Sequence, residues 1–133
     1  MGTYQVYLEI KPEVGCMAHV PDLPGCCWRA CNQEEALSRM PQAIQDYQAW
    51  LQYHHEDIET DESVVLEVVE VIHGFGPFNP GDSAALFEAD RQPLLSDEIE
   101  NVYFRRSGFA RDDLLALTRP LSSWIRNWRP RAG

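Results

Sequence analysis

The sequence predicts an α+β protein with a β-β-β-α-β body and a C-terminal helical extension. Apolar residues alternate with a period of two in short segments near the start. They then recur at spacings of three and four, and a β-branched run comes after them. At 133 residues the chain has the length of one domain, or of one small domain with an appendage, and can bury a core without disulfides or metal. Hydrophobic residues make up 44% of it, enough to offset chain entropy and to argue against wholesale disorder.

Tyr4, Val6, Leu8 and Ile10 alternate with Gln5, Tyr7 and Glu9, which predicts a half-buried first strand over 3–10. Lys11 to Gly15 forms a turn. Cys16, Ala18 and Val20 then alternate with Met17 and His19 to complete a hairpin. The segment Pro21-Asp22-Leu23-Pro24-Gly25 is dense in turn formers, with the prolines fixing φ and Gly25 free to take φ > 0. A third strand is expected over Cys26 to Ala30.

Asn32 stands three residues before Glu35, the spacing of a capping box, so a helix is expected from about Gln33. Ala36, Leu37, Met40, Ile44, Tyr47 and Leu51 share one face of that helix, which reaches about Tyr53. Pro41 removes the hydrogen bond to the Leu37 carbonyl and predicts a kink or a local break. The acid-rich stretch from His54 to Ser63 reads as a solvated loop, and Val64 to Ile72 as a fourth strand.

His73 to Asp82 (HGFGPFNPGD) marks a boundary. The organisation expected is therefore an α+β domain over 1–75, a Gly/Pro-containing linker over 76–95, and a C-terminal amphipathic helix with a basic, Trp-containing tail over 96–133. Ser96 is placed to cap this last helix, with Asp97 and Glu98 suited to its dipole. It should run to about Arg119, with Ile99, Val102, Tyr103, Ala110, Leu114 and Leu117 along one side. Gly108 in its middle costs about 1 kcal/mol relative to alanine. Such a helix must lay its stripe on the sheet domain or on another copy of the chain.

The formal charge of −10 is unevenly placed. Residues 1–75 hold 13 acids against Lys11, Arg29 and Arg39, whereas residues 101–133 hold 7 arginines against Asp112 and Asp113. The acidic body is repelled by a phosphate backbone, which argues against nucleic acid, and it attracts basic proteins. The first residues lack a basic stretch followed by an apolar run, and no window approaches the roughly 18 uninterrupted apolar residues of a membrane span. A cytoplasmic protein is expected.

The run from Tyr4 to Leu51, above all VPDLPGCCWRACNQEEAL from Val20 to Leu37, resembles the HicB-type antitoxin domain. The shared pattern is a glycine-containing turn, an alternating strand, a Pro-Asp-Leu-Pro-Gly-Cys turn, a third strand, and a small polar cap before a Glu-Glu-Ala helix opening. The resemblance covers about residues 3–72 and implies a partial ribonuclease-H-like fold and a toxin-antitoxin role. Family members commonly continue into a DNA-binding segment, and nothing after Gly76 has that shape. Instead, Ser96 to Pro130 resembles the first helix of DinB-like four-helix bundles. Those bundles bind a divalent metal through histidines on later helices, which this sequence does not contain, so the resemblance implies a remnant.

Cys16, His19, Cys26, Cys27 and Cys31 invite a zinc reading, but they lack paired C-x2-C knuckles, and strand alternation points Cys16 and His19 to opposite faces. Cys26 reads as a small buried hydrophobe. His54 and His55 beside Glu56 and Asp57 read as a solvated helix end. Glu9 and Asp22 are the only carboxylates near the catalytic position of a ribonuclease-H-like fold, and two-metal chemistry needs more. No phosphate loop, nucleophile elbow or His-Glu-x-x-His occurs. The expectation is a non-catalytic module without cofactor or metal.

The acidic stretch Glu56, Asp57, Glu59, Asp61 and Glu62 is the candidate surface for a protein partner, a small basic toxin-like ribonuclease on the antitoxin resemblance. The alternative is a homo-oligomeric orphan domain, a dimer by preference, assembled through Tyr103, Leu114, Leu117, Trp124 and Trp128. Trp124 and Trp128, interleaved with arginines, read better as a helix-end anchor than as a stacking platform for nucleic acid.

Overall fold

The computed structural model describes residues 2–76, 78 and 86–118. Four strands, β1 (Gly2–Lys11), β2 (Gly15–His19), β3 (Cys27–Ala30) and β4 (Val64–His73), form one mixed sheet in the order β3-β2-β1-β4. Helix α1 (Gln33–Tyr53) connects β3 to β4. Strand β2 is antiparallel to both neighbours, and β4 is parallel to β1. Strand β3 therefore runs in the same sense as β4, and parallel strands need a crossover, which α1 provides. The α+β class and the order β-β-β-α-β stand as expected.

The hairpin turns at Pro12-Glu13, where Val14 N–H donates to the Lys11 carbonyl at 3.0 Å and Glu13 takes φ 64°. That is a type II turn with glutamate where glycine is favoured. Gly15 (φ +150°) is required for a different reason, because a Cβ there would lie 2.5 Å from the Ala30 carbonyl oxygen.

Val6, Leu8, Cys16 and Ala18 point from the sheet to Ala36, Met40 and Ile44 of α1, and Val20, Leu23 and Cys26 close the same core. Asn32 caps α1, its Oδ1 accepting from Glu35 N–H at 2.8 Å. Glu35 reaches back to Cys31 N–H at 3.2 Å, one residue beyond the partner that a capping box supplies. The helix continues through Pro41 without the expected break. It ends in a Schellman arrangement, with Glu56 N–H on the Leu51 carbonyl and His55 N–H on that of Gln52. His55 occupies the left-handed position at φ 65°.

Two features depart from the expectations of the sequence. Strand β1 is buried on both faces towards its end, where Tyr7, Glu9 and Lys11 are buried as well as Leu8. The cover on the second face includes Phe78 and Phe87, both buried. The first compact unit runs from Met1 to Pro93, so the span read as a linker contributes side chains to it.

The second unit begins at Leu94. Its helix starts at Ser96, as α2 (Ser96–Glu98), passes through a π-helical stretch (Ile99–Phe104) and continues as α3 (Arg105–Thr118). Ser96 is the first helical residue and not the cap. Leu95 holds the cap position in extended conformation, and its N–H is satisfied by the Glu98 carboxylate at 2.8 Å. The π turn inserts about one residue, which rotates α3 by about 100° relative to α2. Ile99, Val102 and Tyr103 lie inside the π-helical stretch and Ala110, Leu114 and Leu117 lie in α3, so the uninterrupted 3.6-residue spacing that places all six on one stripe is broken between them. The expected helix end at Arg119 lies outside the described residues.

Candidate functional site

The acidic connection between α1 and β4 is held against the helix by a row of glutamines. Gln45 donates to the Asp61 carbonyl at 2.9 Å and Gln52 to that of Ile58 at 2.8 Å. Gln48, between them and almost fully buried, joins Asp61 to Tyr4. Its Nε2 donates to Asp61 Oδ2 at 2.9 Å and to Tyr4 Oη at 2.5 Å, and its Oε1 accepts from Asp61 N–H at 3.0 Å. Tyr4 Oη in turn donates to Asp61 Oδ2 at 2.6 Å.

Positions 45, 48 and 52 keep helical spacing, so one helix edge can bond one extended segment. The hydrogen bond from Tyr4, and secondarily that from Gln48, hold the Asp61 carboxyl below its ordinary value of 3.8. Burial, reinforced by the hydrogen bond to Asp61, pushes the Tyr4 hydroxyl up to about 12.

This arrangement divides the five candidate carboxylates. Asp61 is half-buried and serves the fold. Asp57, Glu59 and Glu62 are exposed, and Glu56 is half-buried. A strapped segment presents its charges at fixed positions and loses less freedom on binding than a loose loop would. The glutamines were not singled out in the sequence, where Gln48 broke the apolar stripe and carried no motif.

The second face of the sheet holds a different cluster. Glu9 pairs with Lys11 at 3.4 Å, both buried, and the Lys11 Nζ and Arg29 Cζ lie 4.4 and 4.9 Å from the Phe78 ring centroid. Phe87 packs on Tyr7 and His19, with ring centroids 5.3 and 5.4 Å apart. Burial lowers the His19 pKa from its ordinary 6.5, against the raising influence of Glu9 and Asp90. Asp22, the other carboxylate considered for catalysis, is exposed in the turn before β3.

Cys16 and Cys26 are buried in the core, where burial raises both thiols, Cys26 to about 11, while Cys27 and Cys31 are exposed. Cys16 faces α1 and His19 the opposite side. Among the described residues no three His, Cys, Asp or Glu side chains converge as metal ligands would. His54 meets Trp50 and Tyr53 edge to face at the end of α1, with centroids 5.3 and 5.1 Å apart. In the second unit Tyr103, Leu114 and Leu117 are exposed, and Trp124 and Trp128 lie outside the described residues.

One further concavity carries no sequence motif. Trp28 on β3 lines a groove of about 310 Å³ together with Tyr47, Trp50, Asp46 and Ala43 of α1 and Cys26. Tyr47 and Trp50 meet edge to face at 5.5 Å and 60°.

Fold and surfaces together define an α+β protein: a four-stranded mixed sheet crossed by one helix, with acidic residues strapped along that helix. Comparison with family models, curated proteins and solved structures finds no match. Among the described residues no helix is long and apolar enough to cross a membrane.

Proposed function

We propose that the sheet unit is a non-catalytic, HicB-like protein-interaction module that binds a small basic toxin-like ribonuclease through Asp57, Glu59 and Glu62. The observation that carries this reading is the glutamine row, which fixes the acidic segment against α1 and leaves these three carboxylates open to a partner. Thirteen acids against three basic residues in 1–75 give the long-range field that steers a basic partner. The order β-β-β-α-β and the Val20–Leu37 segment are compatible with the antitoxin resemblance.

The test is co-expression of the chain with the reading frames that flank its gene, followed by light scattering of any complex and an RNA-cleavage assay. A stable complex with a small basic frame is expected, with cleavage suppressed and affinity falling as salt rises. The triple change Asp57→Lys, Glu59→Lys, Glu62→Lys should weaken it at least tenfold. Absence of any basic binding frame, or a complex indifferent to the triple change, refutes the proposal.

A homo-oligomer is the second reading, favoured by one observation: α3 buries none of its residues, and Leu114, Leu115 and Leu117 are all exposed. Exposed apolar side chains grouped in this way mark interaction surfaces. Leu114→Glu with Leu117→Glu should then convert a dimer to a monomer in light scattering. An unchanged mass rules the helix out as the assembly element.

A further inference from the structure

We infer that the groove between β3 and α1 is a receptor for an arginine side chain of a basic protein partner, held between aromatic faces and the Asp46 carboxylate. The inference rests on the partner-binding reading and names the contact such a partner makes.

Three aromatic rings and one carboxylate face a single concavity. Trp28 lies on the α1 side of the sheet edge, being paired with the core residue Ala18, yet 42% of it is exposed. Nothing in core packing requires a half-open tryptophan there. Tyr47 is fixed by donating its hydroxyl hydrogen to the Pro24 carbonyl at 2.7 Å, and Trp50 meets it at 60° to form a corner. Asp46 is the carboxylate of the lining, with one oxygen accepting from Gln42 Nε2 at 2.9 Å.

The ring faces of tryptophan and tyrosine attract cations, and a guanidinium adds planar stacking and a forked hydrogen bond to carboxylate that an ammonium does not offer. At about 310 Å³ the groove is at the small end of ligand sites, suited to one side chain rather than a helix. Asp46 is the one charged residue of the lining, and residues 1–75 carry 13 acids against three basic residues, so a cation is the complementary occupant.

The probe is N-acetyl-L-arginine amide, titrated into the 133-residue chain while the indole N–H signals of Trp28 and Trp50 are followed by NMR. N-acetyl-L-citrulline amide, the same shape without charge, is the control. Saturable shifts of both indoles with the arginine probe alone are expected. Asp46→Asn should weaken binding about threefold and Trp28→Ala about fivefold or more. Neither side chain belongs to the buried core, so neither change threatens the fold. Equal shifts with citrulline, or no saturation of these two signals, overturn the inference. Because the probe is a small molecule, that failure is separate from failure of the partner reading, which the co-expression experiment decides.

Discussion

Replacing Gln48 with leucine removes the centre of the Tyr4–Gln48–Asp61 network while preserving volume. Gln48 makes three hydrogen bonds there and is almost fully enclosed. A net contribution of about 0.5–1.5 kcal/mol per bond, with the half-buried Asp61 N–H losing its partner, gives a loss of about 2–3 kcal/mol. For a unit of this size that corresponds to a melting temperature lower by about 10 °C. Thermal and urea unfolding of Gln48→Leu against the parent chain measures it. Combining it with Tyr4→Phe tests the coupling, because members of one network lose less together than the sum of the single losses. A Gln48→Leu melting temperature within about 2 °C of the parent refutes the reasoning, because water would then replace the amide without cost.

Glu13→Gly and His55→Gly each relieve a left-handed residue, at φ 64° and 65°. The relief of about 1–2 kcal/mol is partly offset by the added freedom of the unfolded glycine. Each should stabilise by about 0.5 kcal/mol in urea unfolding. Gly15→Ala should destabilise by about 2 kcal/mol or more, since its Cβ would meet the Ala30 carbonyl oxygen at 2.5 Å. The Asp61 carboxyl is held below its ordinary value of 3.8, so its contribution is complete above that value and is lost as pH falls below it. Asp61→Asn should flatten the acid limb of a stability–pH curve in that range, and an unchanged limb counts against the network.

Strands β1 and β2 were legible because one face of each is apolar, and β4 because it is a β-branched run. Val6, Leu8, Cys16 and Ala18 alternate with other residues, and that alternation survives in the packed core. The cap at Asn32 was legible for a similar reason, since its chemistry is local. Pro41 does not end the helix, because packing through Met40, Ile44 and Leu51 carries it past one missing bond. The burial of Glu9 and Lys11 had no local signal, since it depends on Phe78 and Phe87 arriving from a segment dense in glycine and proline. The glutamine row was hidden for the same reason. Gln45, Gln48 and Gln52 bond backbone carbonyls and N–H groups, and the sequence does not show which segment will lie beside them.

The covered face makes the most direct claim on pH. His19 lies under Phe87, and among the described residues its Nε2 is enclosed without a hydrogen-bond partner. Burial disfavours the imidazolium, while the Glu9 and Asp90 carboxylates favour it, and burial is the larger influence. A histidine lowered from its ordinary 6.5 binds its proton later in the folded than in the unfolded chain. Its contribution to stability is therefore complete above 6.5 and is lost as pH falls from there to the folded value. Phe87→Leu keeps the site apolar but thins the cover, so it should move the His19 titration towards the ordinary value, followed through the ring Cε1–H signal by NMR. The same change should shift the upper edge of the acid instability hardly at all, since that edge is set by the unfolded chain. A His19 that titrates at or above 6.5 in the parent protein would mean that Glu9 and Asp90 outweigh the burial. The face would then act as a charged surface instead of a second core.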